Sequence, residues 1–194
     1  SMIMHETGTA GWIDSAISYG DGPTKYYTAP TMEESTKISG AEQVEKYQTE
    51  STACFGCPIR CRKVLQIKEG KYLYDRVEGP EYETLMAWGA MMGLNLDMST
   101  AVYLNELCNG YGFDTISSGA SAGYAFYLYN LGVISEKDTG GLKLTWGNVD
   151  AAIELLHLIG KNQGFGAVLA GGTKRMAQKN GRPVGEAVQS KGLE

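Results

Sequence analysis

Apolar residues recur at helical spacing from Pro80 to near the end of the chain. "PEYETLMAWGAMMG" places Leu85, Ala87, Trp88 and Met92 in such a pattern, with Pro80 at a helix start and Gly93 at its end. Asp97 or Ser99 can cap "MSTAVYLNELCNGYG", where Val102, Leu104, Leu107 and Tyr111 lie toward one side and Gly112 stops the helix. Asp114 or Thr115 can cap "ISSGASAGYAFYLYNLG", which ends at Gly132. Its small residues Gly119, Ala120, Ala122, Gly123 and Ala125 allow another helix to approach closely. "SEKDTGGLKLTWG" reads as a surface loop. "NVDAAIELLHLIGKNQG" is an amphipathic helix with Val149, Ala152, Ile153, Leu156 and Ile159 in register, and "FGAVLAGGTKRMAQKNG" is read as one more, ending at Gly181.

Ahead of Pro80 the period changes. "KVLQIKEGKYLYDRVEG" has two short alternating runs around Glu69-Gly70, the pattern of a β-hairpin. "AEQVEKYQTE" reads as a short polar helix over Ala41–Glu50. Residues 1–40 are rich in Gly, Pro, Thr and Tyr and are expected to be irregular and to need a partner to pack on. The fold class is therefore mostly α, a multihelical domain with one small β-hairpin. No internal repeat or low-complexity tract occurs.

Composition narrows the function. The formal charge is 17 − 22 = −5 and there is no long Lys/Arg run, which argues against a nucleic-acid partner. No apolar run approaches the roughly 18 residues of a membrane span. The start "SMIMHETGTAG" has no charged n-region, so no signal peptide is expected, and a cytoplasmic setting follows. Ser1 ahead of Met2 suggests an expressed fragment.

Three of the four cysteines, Cys54, Cys57 and Cys61, crowd into "STACFGCPIRCRK". Such clustering reads as metal ligation in a reducing compartment rather than as two disulfides. A zinc ribbon wants two CxxC knuckles, and one short pair is present. Cys57-Pro58 beside Gly56 suits an iron–sulfur cluster, whose irons favour four thiolates. Redox cysteines or plain packing stay open as alternatives. Cys108 is the fourth candidate by counting, but its place inside a helix favours a buried structural thiol. His5 and His157 are distant in sequence, and His157 between two leucines reads as a surface or satisfied core residue. "NGYGFDTIS" can be no more than a helix C-cap at Gly112 and an N-cap at Asp114. The same corner displays backbone N–H groups and a carboxylate that suit pterin amines or phosphates.

In their order and spacing, "CFGCPIRC", "EGPEYETL" (Glu78–Leu85) and "LCNGYGFDTISSG" (Leu107–Gly119) resemble the tungsten-containing aldehyde:ferredoxin oxidoreductases, as do the opening "HETGTAG" and closing "VQSKGLE". The resemblance implies oxidation of an aldehyde substrate to a carboxylate, with electrons passing to ferredoxin. It implies tungsten (or molybdenum) on two pterins and a [4Fe-4S] cluster. It places residues 1–194 as one helical domain, the middle of three, contacting cluster and pterin, with the N-terminal base domain and the last domain outside the chain. Cys54, Cys57 and Cys61 then match three cluster ligands, the fourth coming from the last domain. Asn109, Gly112 and Asp114 match the pterin-contacting motif, with Asn where the motif has Asp. Glu81, and after it Glu83, match a glutamate near the tungsten that can act as general base if burial raises its pKa; equally, both are first-turn acids favoured by the helix dipole. The partners implied are ferredoxin, the aldehyde, the remaining domains and, as an open possibility, a second copy in a homodimer. The isolated chain is expected to lack these cofactors and to be inactive. A standalone small iron–sulfur or zinc module is the competing reading, and it requires Cys108 as the fourth ligand.

Overall fold

A computed structural model describes residues 2–194; Ser1 lies outside them. The chain opens with α1 (Met2–Thr7) and α2 (Gly11–Tyr19), a left-handed turn α3 (Thr24–Tyr27), a 3-10 stretch over Glu33–Ile38, and α4 (Gly40–Glu42), which runs on as a π turn over Gln43–Tyr47. Three strands follow: β1 (Gln48–Thr52), β2 (Arg62–Ile67) and β3 (Tyr74–Glu78). The helical remainder comprises α5 (Tyr82–Ala87), α6 (Met98–Tyr111), α7 (Thr115–Asn130), α8 (Glu136–Thr139), α9 (Val149–Gly160), α10 (Gly164–Leu169) and α11 (Thr173–Lys179). No helix is long and apolar enough to cross a membrane among the described residues.

The expected caps form. Asp97 accepts from Thr100 N–H at 2.8 Å, Asp114 from Ser117 N–H at 2.7 Å and Asn148 from Ala151 N–H at 3.1 Å. The core centres on Trp88, Tyr124 and Phe126, all fully buried, with Met92, Met98 and Leu104 beside them. The small-residue face of α7 is used as expected. A Cβ on Gly119 would stand 2.6 Å from Ala87 Cβ, and one on Gly123 2.6 Å from Met91 Cγ, so α5 and the turn after it lie directly on α7.

Several elements differ from the expectation. The polar helix stops at Tyr47, and Gln48–Thr52 becomes an edge strand paired antiparallel to β2, with Ser51 opposite Lys63. The expected hairpin is thus two strands of a three-stranded sheet ordered β1-β2-β3. Pairing with the buried central strand overrides the helical preference of a Glu- and Gln-rich segment. The Pro80–Gly93 helix breaks after Ala87 and resumes as a 3-10 turn over Ala90–Met92. The last expected helix splits at Gly171-Gly172, where Gly172 has φ +82°. The surface loop carries α8 and buries Thr139 and Leu144.

Residues 1–40 are not loosely attached among the described residues. Ala10, Ile13, Tyr26 and Ile38 are buried in the core. Tyr26 stacks on Tyr127 at 5.3 Å, and its hydroxyl accepts the Val188 N–H at 2.8 Å, joining the two ends of the fold.

Candidate functional site

The added strand changes what the cysteine segment is. Residues 53–61 form the connection between β1 and β2, so Cys54, Cys57 and Cys61 occupy the tip and the base of a β-hairpin rather than a loop after a helix. A turn closes at Cys57 N–H to Cys54 C=O, 3.0 Å, with Gly56 at φ +71°. Cys54 is exposed, Cys57 and Cys61 are half-buried, and all are reduced. Phe55 at the tip is fully exposed. At its base the hairpin is held by α1 and the turn after it. His5 Nδ1 lies 2.7 Å from the Ile59 carbonyl, and Lys63 Nζ donates to the His5 carbonyl at 2.5 Å. A Cβ on Gly8 would stand 2.6 Å from the Cys61 carbonyl, so that backbone approach requires glycine.

The next residue connects this hairpin to the candidate carboxylates. Thr9 Oγ1 accepts the Tyr82 N–H at 3.0 Å and donates to Glu81 Oε2. Glu81 sits at the N-cap position of α5 without capping it; Thr9 satisfies the helix N–H instead. Glu81 and Glu83 are both half-buried. Glu83 opens onto a cleft of about 450 Å³ walled by Trp12, Tyr27, Tyr82, Met86 and Ile116.

α5 in turn is pinned to the Asn109–Asp114 corner. Thr84 Oγ1 donates to Thr115 Oγ1 at 2.9 Å, and Trp88 Nε1 to Ser118 Oγ at 3.3 Å. Ser118 Oγ donates to the Asp114 carbonyl at 2.8 Å and lies 3.9 Å from Cys108 Sγ. Asn109, Gly112 and Asp114 all face solvent, with Gly112 left-handed at φ +74°. Asp114 Oδ1 caps α7; Asn109 Nδ2 donates to Glu106 at 3.2 Å. Cys108 is fully buried, and burial pushes its thiol up to about 12. His157 lies 3.0 Å from the Tyr111 hydroxyl, a satisfied half-buried residue.

The sequence candidates therefore lie along one connected path: cysteine hairpin, Gly8-Thr9, Glu81, α5, α7 and the Gly112 corner. Reading by motif missed Thr9, His5 and Lys63. The "HETGTAG" stretch that contains the first two was the available signal.

Among the described residues, no three His, Cys, Asp or Glu side chains stand close enough to hold a metal ion. The donor chemistry nonetheless suits part of an iron–sulfur site. Three thiols share one solvent-facing hairpin, and nothing lies within 4 Å of a Cβ built on Gly56. Thr52 Oγ1, at the hairpin's root, is buried with no hydrogen-bond partner among the described residues. For a pterin the corner offers the free Asp114 Oδ2 and the exposed Asn109 amide.

The class is accordingly a mostly helical domain whose cysteine hairpin and acidic helix start are tied together on one path. A solved complex, the active site complex BamBC of benzoyl coenzyme A reductase with 1,5 dienoyl-CoA, shares the fold. Its TM-score is 0.60 at 22% identity, over 76% of this chain and 21% of that one. Residues 1–194 match the family described as aldehyde ferredoxin oxidoreductase, domains 2 and 3, and the chain belongs to that family. A tungsten-containing aldehyde ferredoxin oxidoreductase of Pyrococcus horikoshii is 34% identical over 175 residues, 89% of this chain. The enzyme of the same description from Pyrococcus furiosus is 32% identical over 177 residues. The aliphatic sulfonate oxidoreductase, WOR-like subunit, of Pyrococcus furiosus is 35% identical over 136 residues. The chain spans 28% of the length of the first two and 21% of the third.

Proposed function

We propose that this chain is the middle, cluster- and pterin-contacting domain of a tungsten (or molybdenum) pterin oxidoreductase. That enzyme oxidises an aldehyde to the carboxylic acid and passes electrons to ferredoxin in the cytoplasm. The observation that carries the reading is the continuous path from the cysteine hairpin through Thr9 to Glu81 and on to the Gly112 corner. Cys54, Cys57 and Cys61 would hold three corners of a [4Fe-4S] cluster, with the fourth thiolate from polypeptide outside this chain. Asn109, Gly112 and Asp114 would face the pterin. When bound, the metal and pterin supply the two-electron redox chemistry.

Part of the proton chemistry would fall to this chain's own side chains. Converting an aldehyde and water to an acid releases two electrons and two protons, so a base must stand nearby. Glu81 Oε2 is engaged by the Thr9 hydroxyl, whose own oxygen is taken by the Tyr82 N–H. The hydroxyl proton is thereby directed at Oε2, and Oε1, with no partner among the described residues, is left to receive a proton from water. Glu83 is the second candidate, placed at the aromatic cleft. The standalone-carrier reading needs Cys108 as a ligand, and burial of that thiol beside Ser118 counts against it.

The test is to express the full-length polypeptide anaerobically with tungstate. Tungsten, iron and aldehyde-dependent reduction of a viologen dye, then of ferredoxin, are the readouts. Protein that holds neither metal and shows no aldehyde-dependent reduction overturns the proposal.

A further inference from the structure

Lys63 is 4% exposed. Lysine is rarely buried to that degree without an anionic partner. The two arginines of the sheet, both at the surface, have carboxylate partners: Arg62 pairs with Glu78, and Arg76 with Glu50 at 3.2 Å. Lys63 has no carboxylate within 4.0 Å among the described residues. Its Nζ donates to the His5 carbonyl at 2.5 Å and to Ser51 Oγ at 3.1 Å, both neutral. An ammonium buried against neutral acceptors alone is costly, and that cost needs an anion to offset it.

The surroundings point to the cysteines as the source. Lys63 lies opposite Ser51 at the mouth of the hairpin that carries them. Cys61 is two residues before it, at the point where the hairpin connection leads into β2. Gly8 forms a shared floor: a Cβ there would be 2.6 Å from the Cys61 carbonyl and 3.6 Å from Lys63 Cγ.

We propose that Lys63 is the built-in counter-cation of the group held by Cys54, Cys57 and Cys61, and that its charge sets how readily that group accepts an electron. The inference rests on the cysteine-hairpin reading above. One added electron makes the thiolate-bound centre more negative by one unit. A cation fixed beside the centre stabilises that extra charge, so it raises the reduction potential. The backbone of His5 and the Ser51 hydroxyl hold the ammonium in place, which makes Lys63 a positioning residue for charge rather than a ligand.

The experiment uses the full-length polypeptide, purified anaerobically, in wild-type, Lys63→Met and Lys63→Arg forms. Iron per polypeptide is measured, and the midpoint potential is read by EPR during titration with dithionite. Expected are equal iron contents, a potential shifted to more negative values in Lys63→Met, and a near wild-type potential in Lys63→Arg. Lys63→Met with full iron and an unshifted potential overturns the proposal. Should Lys63→Met lose its iron, Lys63→Arg decides. Retained iron and potential support the charge, whereas lost iron shows that the packing of the lysine stem matters instead and overturns it. A wild-type protein without an EPR-active iron centre overturns the cysteine-hairpin reading itself, an outcome visible before any variant is made.

Discussion

Thr9 and Glu81, 72 residues apart, are joined by a hydrogen bond from the threonine Oγ1 to the glutamate Oε2. The same hydroxyl caps the Tyr82 N–H that the glutamate, at the N-cap position, leaves free. One side chain thereby starts α5 and fixes the carboxylate. Thr9→Val keeps the shape and removes both bonds. It should destabilise the fold by about 1–2 kcal/mol, the cost of leaving a partly buried N–H unpaired. Thr9→Ser should stay within a few tenths of wild type. Urea unfolding of the two variants makes the comparison, and equal midpoints for valine and threonine would remove Thr9 from the site.

Helical glycine usually gains stability on replacement by alanine, by about 1 kcal/mol. At Gly119 the sign should reverse, because the new Cβ would meet Ala87 Cβ at 2.6 Å and its backbone carbon at 2.9 Å. A loss of about 1–3 kcal/mol is expected there. Gly110, exposed on α6 with nothing within 4 Å, should show the ordinary gain. Thermal melts of Gly119→Ala and Gly110→Ala that move in the same direction would contradict the packing of α5 on α7.

The thiols should fall into two kinetic groups. At pH 8 Ellman's reagent should modify Cys54, Cys57 and Cys61 in the folded apo chain and reach Cys108 only on unfolding.

Burial pushes the Cys108 thiol up to about 12, against about 8.5 in an unfolded chain. Between roughly pH 9 and 12 the unfolded state has released a proton that the folded state keeps. Stability should therefore fall with rising pH, by up to about 1.4 kcal/mol per pH unit from this group. Tyr124, held up to about 12 by burial, adds to the loss above about pH 10. Cys108→Ala should flatten the slope of denaturation midpoint against pH; an unchanged slope would mean the thiol is solvated.

In the full-length enzyme, Cys57→Ser should lower bound iron, since a hydroxyl suits iron less well than a thiolate. Cys108→Ala should leave iron near the wild-type value. Iron analysis showing equal losses would mean that Cys108 is a ligand after all.

Order should also be graded along the apo chain. Backbone amides in Thr52–Arg62, whose residues are largely exposed, should exchange much faster than those of Val149–Ile159 on the buried face of α9. Equal protection would show that packing alone holds the hairpin.

What could be read in advance follows a physical division. α6, α7 and α9 were legible because Asp97, Asp114 and Asn148 cap runs of unbroken helical period, and local signals suffice there. β1 was not legible, because Gln48–Thr52 has no strand alternation of its own and exists through pairing with β2. The burial of Ile13 and Tyr26 was hidden for the same reason: their partners lie far along the chain. At the site, the cysteines, glutamates and the Gly112 corner announced themselves by spacing. Thr9 and Lys63 did not, since a threonine in a turn and a lysine before a valine are ordinary until their neighbours are known.

The bond from the Val188 N–H to the Tyr26 hydroxyl spans 162 residues. It has a consequence for the order of assembly. α6, α7 and α9 carry caps made by neighbouring residues, so their first turns do not wait for a distant partner. Tyr26 cannot be finished in that way. Its ring rests on Tyr124 and Tyr127, and its hydroxyl meets a partner synthesised near the end of this segment. Contacts of such span are slow to close, because chain entropy must be surrendered before they return anything. The turn that carries Tyr26 is therefore expected to acquire its final order late, after α7 is in place to receive it.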